Sequence, residues 1–329
     1  MPDAGEPAGV VVPPALDHLR DKPDGAAWLA DLPRLVESAR RRWSLRLGDP
    51  FRSGQAGWTA PARTADGDDV VLKIVFPHDE AQGEAAALHH WASRGAVRLL
   101  ASDATDWALL LDRVHPGTTL ADDVRTSDAT RLHAGAVVIR DLHAQAAPPS
   151  GYPALADVTA TWADQVEDRH ARHAHWFDPD PMLVREGVRL LRDLVTDDVR
   201  QVLLHGDANP GNMLLDTAAG GREWRAIDPK PMIGDPAYDP WPLLEQIGKP
   251  FAAGDPAGEL AQRARLVGGA AGIPAGRITA WSLARSIESV WWQVDRVPAA
   301  ERAARVPDLQ RQVAEARVWA GASRAAEAH

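Results

Sequence analysis

Residues 203–216 read Leu-Leu-His-Gly-Asp-Ala-Asn-Pro-Gly-Asn-Met-Leu-Leu-Asp: an apolar strand end, then His205-Gly206-Asp207, then Asn212 five positions after the aspartate, then a second apolar run. Phosphoryl transfer needs a carboxylate that orients or accepts the proton of an attacking hydroxyl, and a nearby side-chain oxygen that holds a divalent cation. A compact loop between two strands supplies both, with Asp207 as the catalytic carboxylate and Asn212 as a metal ligand. A lone His-Gly-Asp occurs in many loops; the HxDxxxxN spacing is far more specific.

Twenty-one residues after Asp207, the run Ala226-Ile227-Asp228-Pro229 ends a second apolar strand on an aspartate. A hairpin of that length returns Asp228 to the loop, where its carboxylate is expected to bind Mg2+. The plainer reading, that Asp228 caps the turn at Pro229, is the stronger one only in isolation. Upstream, Lys73 interrupts the apolar run VVLKIVF and must either snorkel to water or meet a buried anion. Its expected partners are the phosphates of a nucleotide and a glutamate of the next helix, Glu84 in preference to Glu80.

The surrounding pattern indicates an α+β chain. Short strand-like runs at FRSG, GWTAPART and DVVLKIVF, then at residues 96–101 and 107–111, are separated by Gly and Asp-Gly turn signals. They predict a small antiparallel N-terminal β-lobe. Helices are expected over residues 26–47, broken by Pro33, and from residue 79 to a glycine stop near Gly95. Residues 1–24 read as a loose or draped arm. After residue 117 nearly everything is helical in period, at 127–146, 155–175, 182–195 and from 259 onward, except for strands MLLD and WRAID. The expected division is an N-terminal lobe of residues 1–112, with arm, helices and nucleotide-binding sheet. Residues 113–329 form a larger helical C-lobe carrying the catalytic loop and the acceptor site.

Composition fits a globular protein: 45% apolar and 25% charged residues in 329, with no cysteine and so no disulfide, thiol nucleophile or cysteine-bound zinc. The opening MPDAGEPAGVVVPP lacks a basic region and an apolar core, and no run approaches the ~20 apolar residues that span a bilayer, so a cytoplasmic protein with no membrane partner is expected. A net charge of −10 argues against nucleic acid; solubility is its plainer reading, and attraction of a cationic small molecule the other. Only Lys22, Lys73, Lys230 and Lys249 are lysines among 36 basic residues, so each retained lysine is informative. Oligomeric state is left open.

Together VVLKIV, Glu84, AVRLL, ALLLDRVHPGTTL, LLHGDANPGN and AIDPKPMIGDPAYD resemble the aminoglycoside phosphotransferase family of the kinase-like superfamily, in particular its streptomycin 6-phosphotransferase and hydroxyurea-resistance group. The resemblance runs from about Phe51 to Trp292. It implies a bilobal protein-kinase-like fold, ATP (or GTP) with Mg2+, and transfer of the γ-phosphoryl group to a hydroxyl of an antibiotic such as streptomycin. By position it implies Asp207 as base, Asn212 and Asp228 as Mg2+ ligands and Lys73 on the phosphates. Gly54 and Gly57, in Ser53-Gly54-Gln55-Ala56-Gly57, stand where the loop covering the phosphates belongs. The chain departs from the family at Ala208-Asn209 and at Pro231 after Lys230, which bears on substrate more than on reaction type. A metabolic kinase for an amino sugar or a choline-like alcohol, a hydroxyurea kinase, and a non-catalytic nucleotide-binding module are the alternatives.

Three further groups qualify as candidates. Glu288, Trp291, Trp292 and Asp295 share one helical face, and carboxylates flanking indoles would suit a guanidinium or ammonium ligand; core packing with acids paired to Arg285 or Arg296 is the plainer reading. Asp235 and Asp239 either line the substrate side or brace the loop after Asp228. His170, His173 and His175 are expected to be ordinary histidines near a helix end, with no zinc.

Overall fold

The apolar stripe over residues 26–47 forms one uninterrupted helix, α1 (Pro23–Arg42), which runs through Pro33. The expected break is absent because Pro33 lies on the exposed side. Its missing donor costs about 3 kcal/mol, whereas the opposite face buries Trp28, Leu29, Leu32, Leu35, Val36 and Ala39, each large side chain contributing about 1.5–3 kcal/mol. The computed structural model describes residues 10–52, 54, 56–145, 150–195, 199–218 and 220–327. They fall into two compact units, 1–117 with 216–221 and 118–215 with 222–329.

In the first unit, β1 (Arg46–Leu47), β2 (Gly57–Arg63), β3 (Asp69–Val75), α2 (Glu84–Trp91), β4 (Leu99–Asp103) and β5 (Ala108–Asp112) follow α1. The strands form an antiparallel sheet in the order β1-β2-β3-β5-β4. Trp58, Ala60, Ala62, Val70, Leu72 and Ile74 project from β2 and β3 into the core that α1 covers. The arm is docked here as well: Leu16 and Leu19 are buried, and the Trp58 indole donates to Val11 O at 2.9 Å.

Three local expectations are corrected. Phe51, Arg52 and Gly54 form no strand; Phe51 makes a single ladder-like bond to Thr59 O, and Gly54 has φ +119°. Residues 79–81 make only a 3-10 turn, and α2 opens at Glu84, after Gly83. That helix ends on Ala92 in the left-handed region rather than on Gly95.

The division falls within β6 (Pro116–Thr119). The second unit holds α3 (Asp128–His143), α4 (Leu155–His173), α5 (Pro181–Asp193), β7 (Val202–Leu204), β8 (Met213–Asp216), β9 (Glu223–Ala226) and β10 (Met232–Gly234). It continues with α6 (Trp241–Gln246), α7 (Pro256–Ala271), α8 (Ala275–Asp295) and α9 (Arg302–Glu327). Helix α8 packs against α4, α5, α7 and α9 and buries Ile278, Trp281, Ile287, Val290, Trp291 and Val294. Gly187 on α5 permits that approach, since a Cβ there would stand 2.6 Å from Ile287 Cβ. Two small ladders interrupt the helices: β7 pairs antiparallel with β10, and β8 lies beside β9. These ladders hold the HxDxxxxN loop. Among the described residues no helix is long and apolar enough to cross a membrane.

Candidate active site

Strand alternation determines what Lys73 meets. Leu72 and Ile74 enter the core under α1, so Lys73 projects from the opposite face of β3. There its Nζ lies 2.6 and 2.8 Å from the two carboxylate oxygens of Glu84, the first residue of α2, and both side chains are buried. A buried ammonium persists only with such a partner. The pair is bidentate and buried, and it presents a lysine whose charge can answer phosphate oxygens. A pocket of about 170 Å³ adjoins it, lined in part by Val75, Glu84, Ala85, Ser102 and Trp107. Gly57 opens β2 with its α-carbon against Ile74 O, where a Cβ would come within 2.6 Å. Of the segment Ser53–Gly57, expected to cover the phosphates, Ser53 and Gln55 lie outside the described residues, and Gly54, Ala56 and Gly57 are described.

In the second unit, strand β7 delivers His205, Gly206 and Asp207 in succession. His205 is fully buried, and burial holds its imidazole below the usual pKa against the pull of Asp239 and Asp207, so it is neutral. Its bonds assign the tautomer: Nε2–H donates to Ile227 O at 3.0 Å, and Nδ1 accepts from Asp207 N at 3.3 Å. Gly206 has φ +80°, and a Cβ there would lie 1.9 Å from Lys230 O, so only glycine fits. Lys230 N in turn donates to His205 O at 2.7 Å.

The loop then turns over Pro210–Asn212, capped by Asn209, whose Oδ1 accepts from Gly211 N and Asn212 N. The same Asn209 donates through Nδ2 to Asp207 Oδ1 at 2.9 Å. Asp207 Oδ2 faces Lys230 Nζ at 3.7 Å, and the Asp207 side chain is 31% exposed. One carboxylate oxygen is therefore fixed by the loop while the other fronts a solvated cation. Asn212 donates Nδ2 to Asp207 O at 3.1 Å, which commits its amide nitrogen to the loop and leaves its oxygen as the group for a ligand. Ile227 N donates to Asn212 O at 2.9 Å, so the segment ending in Asp228 is stitched to the loop. Asp228, two residues past the end of β9, has φ +57°, a left-handed conformation that aspartate adopts more readily than most residues. The oxygen donors these segments carry, the Asp228 carboxylate and the Asn212 amide oxygen, with the neighbouring histidine neutral and already bonded, are of the kind a hard cation such as Mg2+ takes.

A family model described as aminoglycoside/hydroxyurea antibiotic resistance kinase matches residues 42–296. The chain belongs to this family. It is 32% identical over 274 residues to the streptomycin 6-kinase of Streptomyces griseus, covering 83% of this chain and 86% of that one. It is likewise 32% identical over 292 residues to the hydroxyurea phosphotransferase of Kitasatospora aureofaciens, covering 88% and 82%. Among solved structures, a choline/ethanolamine kinase family protein from Mesorhizobium loti matches with TM-score 0.57 at 18% identity, over 88% of this chain and 99% of that one. The macrolide 2'-phosphotransferase of Brachybacterium faecium matches with TM-score 0.55 at 22% identity, over 84% and 96%. The fold is thus kinase-like and the protein is a phosphotransferase, a member of a family of antibiotic resistance kinases. Membership implies use of a nucleotide and a divalent metal.

Several candidate acceptor residues of this kinase are engaged elsewhere. Asp239 is fully buried: Oδ2 accepts from His143 Nε2 (2.8 Å) and His205 N (2.9 Å), and Oδ1 from Gly206 N (2.9 Å). Burial alone would raise its pKa, but the hydrogen bond and charge of His143, with His205, hold it below the ordinary value. Asp239 therefore anchors the loop from behind. Asp235, also buried, caps the turn Pro236–Tyr238 through Ala237 N and receives Arg277 Nε and Trp281 Nε1, each at 2.5 Å. Both carboxylates are taken up by the protein's own donors.

The acid–tryptophan stripe of α8 is likewise engaged within the protein. Trp291 is core, packed on Phe177 and His170. Trp292 is 45% exposed, but the Arg296 guanidinium sits 3.8 Å over its ring. Asp295 is paired with Arg172 and His173, each at 2.9 Å, and Glu288 with Arg169 at 3.5 Å, all from α4. Burial pushes the Glu288 carboxyl up despite Arg169 and Arg285, whereas the hydrogen bond from His173 leads in lowering Asp295. His170 meets Asp178 at 3.0 Å, and His175 meets Arg172 O.

Sequence reasoning weighed a bracing role for Asp239 but passed over its partner His143 and the capping role of Asn209. Asn209 carried a signal, since Asn before Pro-Gly is a capping residue. His143 and Asp239 lie 96 positions apart and carried none.

Proposed function

We propose that this kinase transfers the γ-phosphoryl group of ATP, bound with Mg2+, to a hydroxyl of a streptomycin-type aminocyclitol, and that it does so in the cytoplasm. The observation that carries the reading is the stitching of Asn212, Asp207 and Ile227-Asp228 into one cluster by His205 Nε2–H to Ile227 O and Ile227 N to Asn212 O. In this reading Asp207 accepts the acceptor's hydroxyl proton at Oδ2, because Oδ1 is already bonded to Asn209. Asn212 and Asp228 would hold Mg2+, which when bound neutralises charge on the phosphates. Lys73, oriented by Glu84, answers the phosphate oxygens with its ammonium group, and Gly54 and Gly57 belong to the loop that covers them.

The acceptor reading is supported by the streptomycin 6-kinases of two Streptomyces species, at 32% and 31% identity, and by the net charge of −10, which attracts a cation. Hydroxyurea is the second reading, favoured by an equal 32% identity to a hydroxyurea phosphotransferase.

The test is nucleoside diphosphate release by the purified protein, with ATP or GTP, against streptomycin, hydroxyurea, glucosamine and choline, with Mg2+ and after chelation. Turnover with ATP and streptomycin, lost on chelation, is the expected result. Turnover confined to glucosamine or choline would overturn the antibiotic assignment, and undiminished turnover without metal would overturn the Mg2+ assignment.

A further inference from the structure

Resting on the assignment of Asp207 as base, we propose that Asn209 is a positioning residue for the transfer, its amide holding the Asp207 carboxylate so that Oδ2 is the oxygen offered to the acceptor hydroxyl. Both ends of that amide are committed. Oδ1 accepts from Gly211 N at 2.9 Å and Asn212 N at 3.1 Å, and Nδ2 donates to Asp207 Oδ1 at 2.9 Å. The two backbone N–H groups decide which end is which, since a flipped amide would set its NH2 against two donors. The turn itself therefore aims a donor at Asp207, and the same amide keeps Asn212 in register with the base.

The main chain of Asp207 is fixed independently of this contact. Its N–H bonds to His205 Nδ1 at 3.3 Å, and its carbonyl accepts from Asn209 N at 2.8 Å and Asn212 Nδ2 at 3.1 Å. The side chain has more freedom: it is 31% exposed, and the terminal torsion of an aspartate is broad, so a carboxylate without a donor swings. Among the described residues the Asn209 amide makes the one hydrogen bond to that carboxylate, while Lys230 Nζ lies 3.7 Å from the other oxygen. The reaction needs that orientation. The acceptor oxygen forms a bond to the γ-phosphorus while the bond from that phosphorus to the β,γ-bridging oxygen breaks, its electron pair leaving with ADP. The hydroxyl proton passes to Asp207 Oδ2, which must stand within hydrogen-bond reach of it. A misplacement of about 1 Å costs on the order of 100-fold in rate.

The experiment compares Asn209→Ser, Asn209→Asp, Asp207→Asn and the double variant Asp207→Asn with Asn209→Ser against wild type, measuring kcat, the KM of nucleotide and acceptor, ADP binding and urea denaturation. Serine and aspartate both cap as asparagine does, keeping an oxygen for Gly211 N and Asn212 N. Serine stops short of Asp207, and aspartate turns an acceptor toward it. Asn209→Ser is expected to lower kcat by about 10- to 100-fold, and Asn209→Asp by at least as much. In Asn209→Ser both KM values and ADP binding should stay within about threefold, and the urea midpoint should stay near that of wild type. Because Asn209 acts through Asp207, the double variant should turn over no more slowly than Asp207→Asn alone. If Asp207→Asn is strongly slowed while Asn209→Ser keeps the wild-type kcat, the role of Asn209 is overturned and that of Asp207 stands. Losses that multiply in the double variant also overturn it, as does a loss in Asn209→Ser that lies wholly in KM or follows a fallen urea midpoint. Wild-type turnover by Asp207→Asn overturns the base assignment instead.

Discussion

Replacing Asp239 with asparagine tests whether the catalytic loop is held from behind by a carboxylate. The two oxygens of Asp239 accept three donors: His143 Nε2 and His205 N on Oδ2, and Gly206 N on Oδ1. An asparagine must put its NH2 against Gly206 N in one orientation, or against His205 N and His143 in the other. His143 can change tautomer; a backbone N–H cannot, so at least one buried donor faces another donor. A hydrogen bond to a charged group contributes about 1.5–3 kcal/mol, and an unsatisfied buried donor costs about 1–3 kcal/mol. The expected loss is about 3–5 kcal/mol, a large share of a stability of about 5–15 kcal/mol.

Urea denaturation measures it: the midpoint should fall with the slope unchanged. The wild-type carboxyl sits below its ordinary value of 3.8, so its contribution is complete above that pH and is lost as pH falls through the lower folded value. The gap between wild type and Asp239→Asn should accordingly narrow under acid. Turnover should fall as well, since a loop displaced by about 1 Å costs on the order of 100-fold. A stability loss under about 1 kcal/mol together with wild-type kcat would refute the cradle.

Lys73→Met leaves Glu84 buried without its cation and should cost about 3–5 kcal/mol; the double variant with Glu84→Gln should recover much of that stability in thermal melts while remaining inactive with ATP. Burial pushes Glu245 up to about 7 against the charge of Arg285, so between 4.5 and that value the fold keeps a proton the unfolded chain has lost, and stability should decline as pH rises. Glu245→Gln should flatten that dependence and gain up to about 3 kcal/mol at pH 8; an unchanged pH profile in the variant would contradict it. Asp295→Asn should cost about 1 kcal/mol through loss of its partly buried pairs with α4 and leave the acceptor KM unchanged.

What was legible in the sequence is what rests on neighbours in the chain. Lys73 stood out because it broke an apolar strand, and strand alternation then fixed which face it took. Asp207 and Asn212 share one loop, so their spacing carried their relation. Asp228 was recoverable because a hairpin returns it, although its left-handed backbone was not. The misreadings have one physical source, contacts between distant segments. Pro33 looked like a break because the sequence does not say which side of α1 is dry. Periodicity put Glu288, Trp291, Trp292 and Asp295 on one face of α8, but what lies opposite is α4, whose Arg169, Arg172 and His173 take up the acids more than a hundred positions away. The same distance concealed His143, the partner that meets Asp239 behind the loop. Residues reached by local geometry were readable, and those defined by packing were not.

The most direct test is mass spectrometry of streptomycin incubated with ATP, Mg2+ and either wild-type protein or Asp207→Asn. Loss of a general base costs about 100- to 10,000-fold, so monophosphorylated streptomycin should accumulate with wild type and be absent on the same timescale with the variant, while both proteins bind ADP alike. Equal amounts of product from the two proteins would contradict the assignment of Asp207.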